Sequence, residues 1–246
     1  VIIFWLLGVS WVGWLLSTLA GGGSPLILIP AVSFLLGASA VPPVITTGML
    51  LGNTQRIFLY WREIDWQLMG WYLPGAVVGS ILGAFVFTQL QFQWLSLLLG
   101  VFLVTSTLTY GLTKKVQVFP MRAWYFLPAG FVYAFLSGVI GSTGPLLNPF
   151  YLQYGLVKEA LIATKSAHVV VVHGVKLIAY AAFGVLTLPY LGYGLVIGIG
   201  ALPGNLLGQR VLPQMGEKRF RELVIAFVGL SGILLLWEQR AFFTFW

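Results

Sequence analysis

Long apolar stretches, separated by short polar or glycine-rich breaks, mark off ten helical segments along the chain. They run about 2–20, 25–37, 42–61, 66–88 and 92–112, then 124–140, 145–155, 159–183, 188–209 and 219–238. Most reach the roughly 20 residues that carry an α-helix across a bilayer. The segments opening at Pro25 and Pro145 do not, since at about 1.5 Å per residue they extend only about 15–20 Å. They are read as half-helices that re-enter from the side on which they end.

The pattern repeats. Ser17-Thr-Leu-Ala-Gly-Gly-Gly-Ser-Pro25 returns 120 positions later as Ser137-Gly-Val-Ile-Gly-Ser-Thr-Gly-Pro145. At the same offset Thr46 meets Ser166, Asn53 meets His173, Arg56 meets Lys176 and Tyr60 meets Tyr180. After a shift of five residues, Gly75, Gly79 and Gly83 fall on Gly200, Gly204 and Gly208. The chain therefore divides into a first transmembrane repeat at 1–112, a linker at 113–123 and a second repeat at 124–240. The glycine ladders are read as packing positions that let helix backbones approach closely. Duplicated membrane units with broken helices at matching places are a signature of secondary transporters.

Composition fixes the solvent. Hydrophobic residues make up 59% of the chain and charged ones 8%, against about 25% charged in soluble domains. The partner is a lipid bilayer. No cysteine is present, which removes disulfides and thiolate chemistry, and two histidines and six acids are too scattered for a metal cage. No metal or cofactor is expected. The net charge of +7 is no nucleic-acid footprint, because the basic residues lie in short loops. The sequence starts at Val1, and residues 1–20 carry no basic stretch or small-residue cleavage site, so they read as a span rather than a signal peptide.

Those loop charges orient the chain. Arg62, Lys114, Lys115, Arg122, Lys158, Arg210, Lys218, Arg219 and Arg221 share one side if the segments alternate across the bilayer. The loops near 38–41, 89–91 and 184–187 carry no basic residue, and Arg240 in the tail is the exception. By the positive-inside rule the basic side, with the linker, is cytoplasmic and both termini are outside. Five segments are an odd number, so the second half enters upside down. The expected fold is an all-α integral membrane protein, an inverted-topology repeat of two five-segment units with a broken, re-entrant hinge in each.

The breaks carry the candidate chemistry. In Gly21-Gly22-Gly23-Ser24-Pro25 the glycines release one helix, and the proline opens the next at a position where its missing N–H costs nothing. N–H groups freed inside a membrane need acceptors, and a helix N-terminus with free donors suits an anion. The second copy, Gly141-Ser142-Thr143-Gly144-Pro145, adds two hydroxyls. The alternative is a pair of kinks plugged by neighbouring side chains.

The third helix of each half supports the same place. Thr46, Asn53, Arg56 and Tyr60 fall within one arc of about 80°, as do Ser166, His173, Lys176 and Tyr180, with Lys165 and His168 beside them. Polar side chains at membrane depth face a cavity or another helix. The alternative for Arg56, Lys165 and Lys176 is snorkelling to the surface, and for each histidine a hydrogen-bonded packing role. Every acid (Glu63, Asp65, Glu159, Glu217, Glu222 and Glu238) lies at or near a loop or terminus, which argues against a cation pathway and for an anion. His168 and His173 are candidates for proton coupling, since histidine titrates near neutrality.

With these hinges, this duplication and the late glycine ladders, the chain resembles the TauE/SafE family of sulfite and organosulfonate exporters over nearly its whole length. The resemblance implies a prokaryotic plasma-membrane transporter, not an enzyme, moving a small sulfur-containing anion outward, without a cofactor. The candidate substrate-binding set is Gly21, Gly22, Gly23, Ser24, Thr46, Asn53, Arg56, Gly141, Ser142, Thr143, Gly144, Lys165, Ser166, His173 and Lys176. A passive anion channel would use the same groups. An intramembrane hydrolase would instead pair Ser142 with His168 or His173. Oligomeric state, coupling ion and the anion itself are left open by the sequence.

Overall fold

The computed structural model describes residues 1–89, 104, 121–143 and 146–238. The expected segment at 92–112, most of the linker, and Gly144 with Pro145 lie outside these residues. Nine α-helices are found among the described residues. They are α1 (Ile2–Leu19), α2 (Pro25–Leu36), α3 (Val41–Tyr60), α4 (Trp66–Gln89), α5 (Phe126–Ile140), α6 (Asn148–Tyr154), α7 (Lys158–Ala182), α8 (Leu188–Val211) and α9 (Glu217–Glu238). Short 3-10 turns join several of them, and no strand occurs among the described residues.

Five stretches are long and apolar enough to cross a membrane: α1, α4, Ala123–Ile140, α7 and Leu188–Gln214. α3 and α9 have the length, but α3 carries Asn53, Gln55 and Arg56, and α9 opens on a run of charges. α3 keeps its polar residues by burying them, because Thr46, Thr47, Asn53 and Arg56 are all shielded by neighbouring helices. The second half-helix is shorter than the sequence suggests. A turn occupies residues 146–147, and α6 begins at Asn148, three residues after Pro145.

The helices pack in a reciprocal pattern. α1 lies on α8 and α4 on α5, while α3 sits against α7 and α8, and α7 against α4. The two large contacts use the glycine ladders. A Cβ at Gly75, Gly79 or Gly83 would strike the carbonyl oxygens of Leu127, Phe131 and Phe135. One at Gly200 or Gly204 would strike those of Leu7 and Trp11, 2.9 and 2.5 Å away. Leu7 and Leu127, like Trp11 and Phe131, are 120 positions apart. The ladders thus pack helices against backbone, as small-xxx-small patterns do in membranes.

The two ends of the bundle differ in charge. At one end Lys158 donates to the carbonyl of Pro213, and the Asp65 N–H donates to Thr164 Oγ1, joining the start of α7 to the segments that follow α3 and α8. Arg62, Lys158, Arg210 and Lys218 stand in or beside these segments. At the other, Phe85 and Phe87 near the end of α4 meet Phe183 and Tyr180 near the end of α7.

Candidate functional site

α1 ends where three consecutive glycines begin. Gly21, Gly22 and Gly23 have φ of 69°, 112° and 116°, a region that glycine enters without steric cost. Gly22 has a second reason to lack a side chain, since a Cβ there would overlap the Lys165 ammonium. The chain then turns tightly into α2. Gly22 N–H donates to Ser17 O at 2.6 Å, Leu26 N–H to Gly23 O at 3.0 Å and Ile27 N–H to Ser24 O at 3.1 Å. Of the N–H groups the break frees, those of Gly22, Leu26 and Ile27 are thus consumed within the turn itself. Among the described residues no backbone bond uses the N–H groups of Gly23 or Ser24.

Three cations meet the two breaks from α3 and α7, and none snorkels. The Arg56 guanidinium lies 3% exposed and stacks 4.5 Å from the Trp14 ring centroid. Its Nε donates to Asn205 Oδ1 at 2.9 Å, and Nη2 reaches Thr18 Oγ1 at 2.7 Å, Ser17 Oγ at 3.1 Å and Trp14 O at 3.2 Å. Among the described residues no hydrogen bond uses Nη1. Lys165 Nζ donates to Gly21 O at 2.9 Å and to Asn148 Oδ1 at 2.6 Å, tying the first hinge to the second half-helix. Lys176 Nζ donates to Ser137 Oγ at 3.1 Å and Gly141 O at 2.5 Å. The first glycine carbonyl of each hinge therefore accepts from a lysine of α7.

A small pocket lies between the hinges. Gly22, Gly23 and Pro25 line it from the first break and Ser142 from the second. Asn53 and Arg56 project from α3, and Lys165 from α7. Ser17, Met49, Tyr133 and Val169 complete the lining. It is narrow, with central room for about one water molecule. Two cations and no acid face it.

The structure thus brings six of the expected site residues to one pocket: Gly22, Gly23, Asn53, Arg56, Ser142 and Lys165. Others fall elsewhere. Gly21 and Gly141 offer carbonyls to lysines, and Ser24 Oγ sits 3.4 Å from Met49 Sδ. Thr46 and Ser166 are buried away from the lining. Thr143 is buried without lining the pocket, its hydroxyl unpartnered among the described residues. Lys176 and His173 are fully buried without lining the pocket. Gly144 lies outside the described residues.

The histidines have contrasting surroundings. His168 Nδ1 shares a hydrogen bond of 2.6 Å with the Tyr151 hydroxyl, and its ring stacks on Tyr72 at 3.8 Å and 7°. Neither nitrogen of His173 has a partner among the described residues. The Ser142 hydroxyl bonds to no histidine, so the Ser–His dyad that a hydrolase would need is not assembled.

Sequence reasoning missed Ser17, Tyr133 and Asn205. Asn205 is saturated, with Oδ1 accepting from Arg56 and Nδ2 donating to Gly52 O at 2.9 Å and Gln55 Oε1 at 3.1 Å. It fixes the guanidinium. Ser17 had a signal, since it opens the repeated motif and matches Ser137. Asn205 had a weaker one, standing directly after Gly204 as Ser80 stands after Gly79.

Long apolar helices, two interrupted by glycine-rich breaks, around a buried cationic pocket define a multi-pass membrane protein of the transporter class. The chain belongs to the sulfite exporter TauE/SafE family, whose pattern matches residues 5–235. It is also similar to the probable inner membrane transporter protein TsaS of Comamonas testosteroni, 24% identical over 196 residues that cover 73% of this chain and 77% of that protein. No solved structure matches the chain.

Proposed function

We propose that the chain is a secondary transporter, working as an exporter, of a small sulfur-containing oxyanion such as sulfite or an organosulfonate. The anion binds near the bilayer midplane in the pocket between the hinges. The observation that carries this reading is the pairing of Arg56 and Lys165 in one acid-free pocket, each with donor capacity left over. Arg56 Nη1, the third Lys165 N–H, the Gly23 N–H and the Ser142 hydroxyl offer donors to an oxyanion, and charge-assisted bonds of this kind are the strong ones.

The halves are related as an inverted repeat, and the transport cycle exposes the pocket alternately to the two faces. The reciprocal packing of α1 on α8 and α4 on α5 supports this, as does the burial of both hinges. The basic end of the bundle is cytoplasmic by the positive-inside rule, in the plasma membrane of a prokaryote, with both termini outside. A single cysteine at Gly216 should resist an impermeant thiol reagent in intact cells while one at Gly184 reacts. The reverse labelling pattern would overturn the orientation.

His173, buried with both nitrogens unpartnered, is the first candidate to carry a coupled proton, and His168 the second. The purified protein in liposomes should move sulfite or a related oxyanion, and an imposed pH gradient should drive accumulation. Flux that only dissipates a gradient would make it a channel. The absence of oxyanion flux across a panel of sulfite, sulfonates and thiosulfate would overturn the transport reading.

A further inference from the structure

We propose a second anion half-site, formed by Ser137, Thr143, His173 and Lys176, that is closed in this structure and holds the anion more weakly when the protein faces the other way. It rests on the inverted-repeat carrier reading above.

The pocket lining contains both members of two repeat pairs, Gly22 with Ser142 and Met49 with Val169, each 120 positions apart. Equivalent positions of two halves can line one pocket only if it lies on the axis relating them. Ser17, Gly23, Asn53 and Arg56 line it without their mates. Those mates are Ser137, Thr143, His173 and Lys176. When the halves exchange conformations, the mates take over the lining.

The mates are equipped for that task. Lys176 Nζ already rests on Ser137 Oγ, as Arg56 rests on Ser17 Oγ. His173 is fully buried with neither nitrogen hydrogen-bonded among the described residues, a cost borne in this state that a partner arriving in the other state would relieve. An oxyanion reaching this half-site would accept the imidazole N–H.

The exchange is unequal. Lys165 and Tyr133 line the present pocket, but their mates are Ile45 and Gly13. The pocket formed in this structure therefore presents two lysine or arginine charges, Arg56 and Lys165, and its counterpart only Lys176. One charge-assisted bond fewer makes the counterpart the releasing face.

The test uses uniformly oriented proteoliposomes and radiolabelled sulfite at about pH 8, where an ordinary imidazole is neutral. In the wild type the half-saturation constants at the two faces should differ by about tenfold or more, the worth of one charge-assisted bond. Lys165→Ile, which copies the mate, should raise the lower constant and bring the two together. Lys165→Met should do the same with side-chain length kept, guarding against a packing defect. Lys176→Met should widen the gap by raising the higher constant. With flux intact, equal constants in the wild type, or an equal rise at both faces in both Lys165 variants, would overturn this inference alone. A wild type without saturable sulfite flux would overturn the sulfite-carrier reading and this inference with it.

Discussion

The two hinges share a repeated sequence motif and present different chemistry to the pocket. The first offers backbone. Three glycines in the left-handed region lead straight into a 12-residue helix, and Gly22 and Gly23 line the pocket. The second offers a hydroxyl. Of its residues Ser142 reaches the pocket, and the helix that follows is 7 residues long and begins only at Asn148. What they share is the lysine on the first glycine carbonyl, Lys165 for one and Lys176 for the other. Both lysines stand on α7, so one helix holds both breaks. The two contacts are not repeat mates, since Lys165 matches Ile45 and Lys176 matches Arg56, so α7 supplies the common anchoring while the chemistry facing the pocket is one-sided.

Substitutions that erase the difference should have the largest effects. Gly22→Val combines a disfavoured φ, costing about 1–3 kcal/mol, with a clash against the Lys165 ammonium. Sulfite flux should vanish while the protein still inserts and keeps its helical circular-dichroism signal. Unchanged flux would reduce the first hinge to a kink.

Next in size is the contrast between the equivalent cations. Arg56 bridges α3 to α1 and α8 through four hydrogen bonds, whereas Lys176 makes two, to α5 and the second hinge. Arg56→Gln should cost roughly 2–4 kcal/mol in stability, more than Lys176→Gln in a thermal melt in detergent. It should also raise the half-saturation constant for sulfite, with Arg56→Glu worse because a like charge then opposes the anion. An Arg56→Gln variant that melts and transports like the wild type would remove the guanidinium from the account.

The smallest effect separates neighbours in the second hinge. Ser142→Ala should weaken sulfite binding by about 1–3 kcal/mol, the worth of a hydrogen bond to a charged group. Thr143→Ala should do less, because Thr143 does not line the pocket. Calorimetric titration with sulfite would rank them, and the opposite order would place the Thr143 hydroxyl rather than that of Ser142 on the anion.

Much of this was legible in the sequence, for identifiable reasons. Glycine runs followed by proline end and restart helices wherever they occur, so both breaks could be placed, though the turn at 146–147 that delays α6 has no simple code. Helical periodicity put Asn53 and Arg56 on one face of α3 and Lys176 and His173 on one face of α7. It could not say how far each face would turn toward the pocket. Lys165 enters and Lys176 does not, because each ammonium is captured by a different hinge carbonyl, a tertiary contact. Tyr133 was beyond reach, since its repeat mate is Gly13 and nothing in its local pattern separates it from other apolar helix positions.

If the pocket between the hinges carries a sulfur oxyanion across the membrane, tracer exchange will register it. Proteoliposomes loaded with unlabelled sulfite should take up radiolabelled sulfite faster than empty ones, saturably, and Arg56→Gln should lose that acceleration at the same external concentration. Uptake that is linear in concentration, indifferent to internal sulfite and equal in wild type and Arg56→Gln would mean that the pocket does not carry the anion.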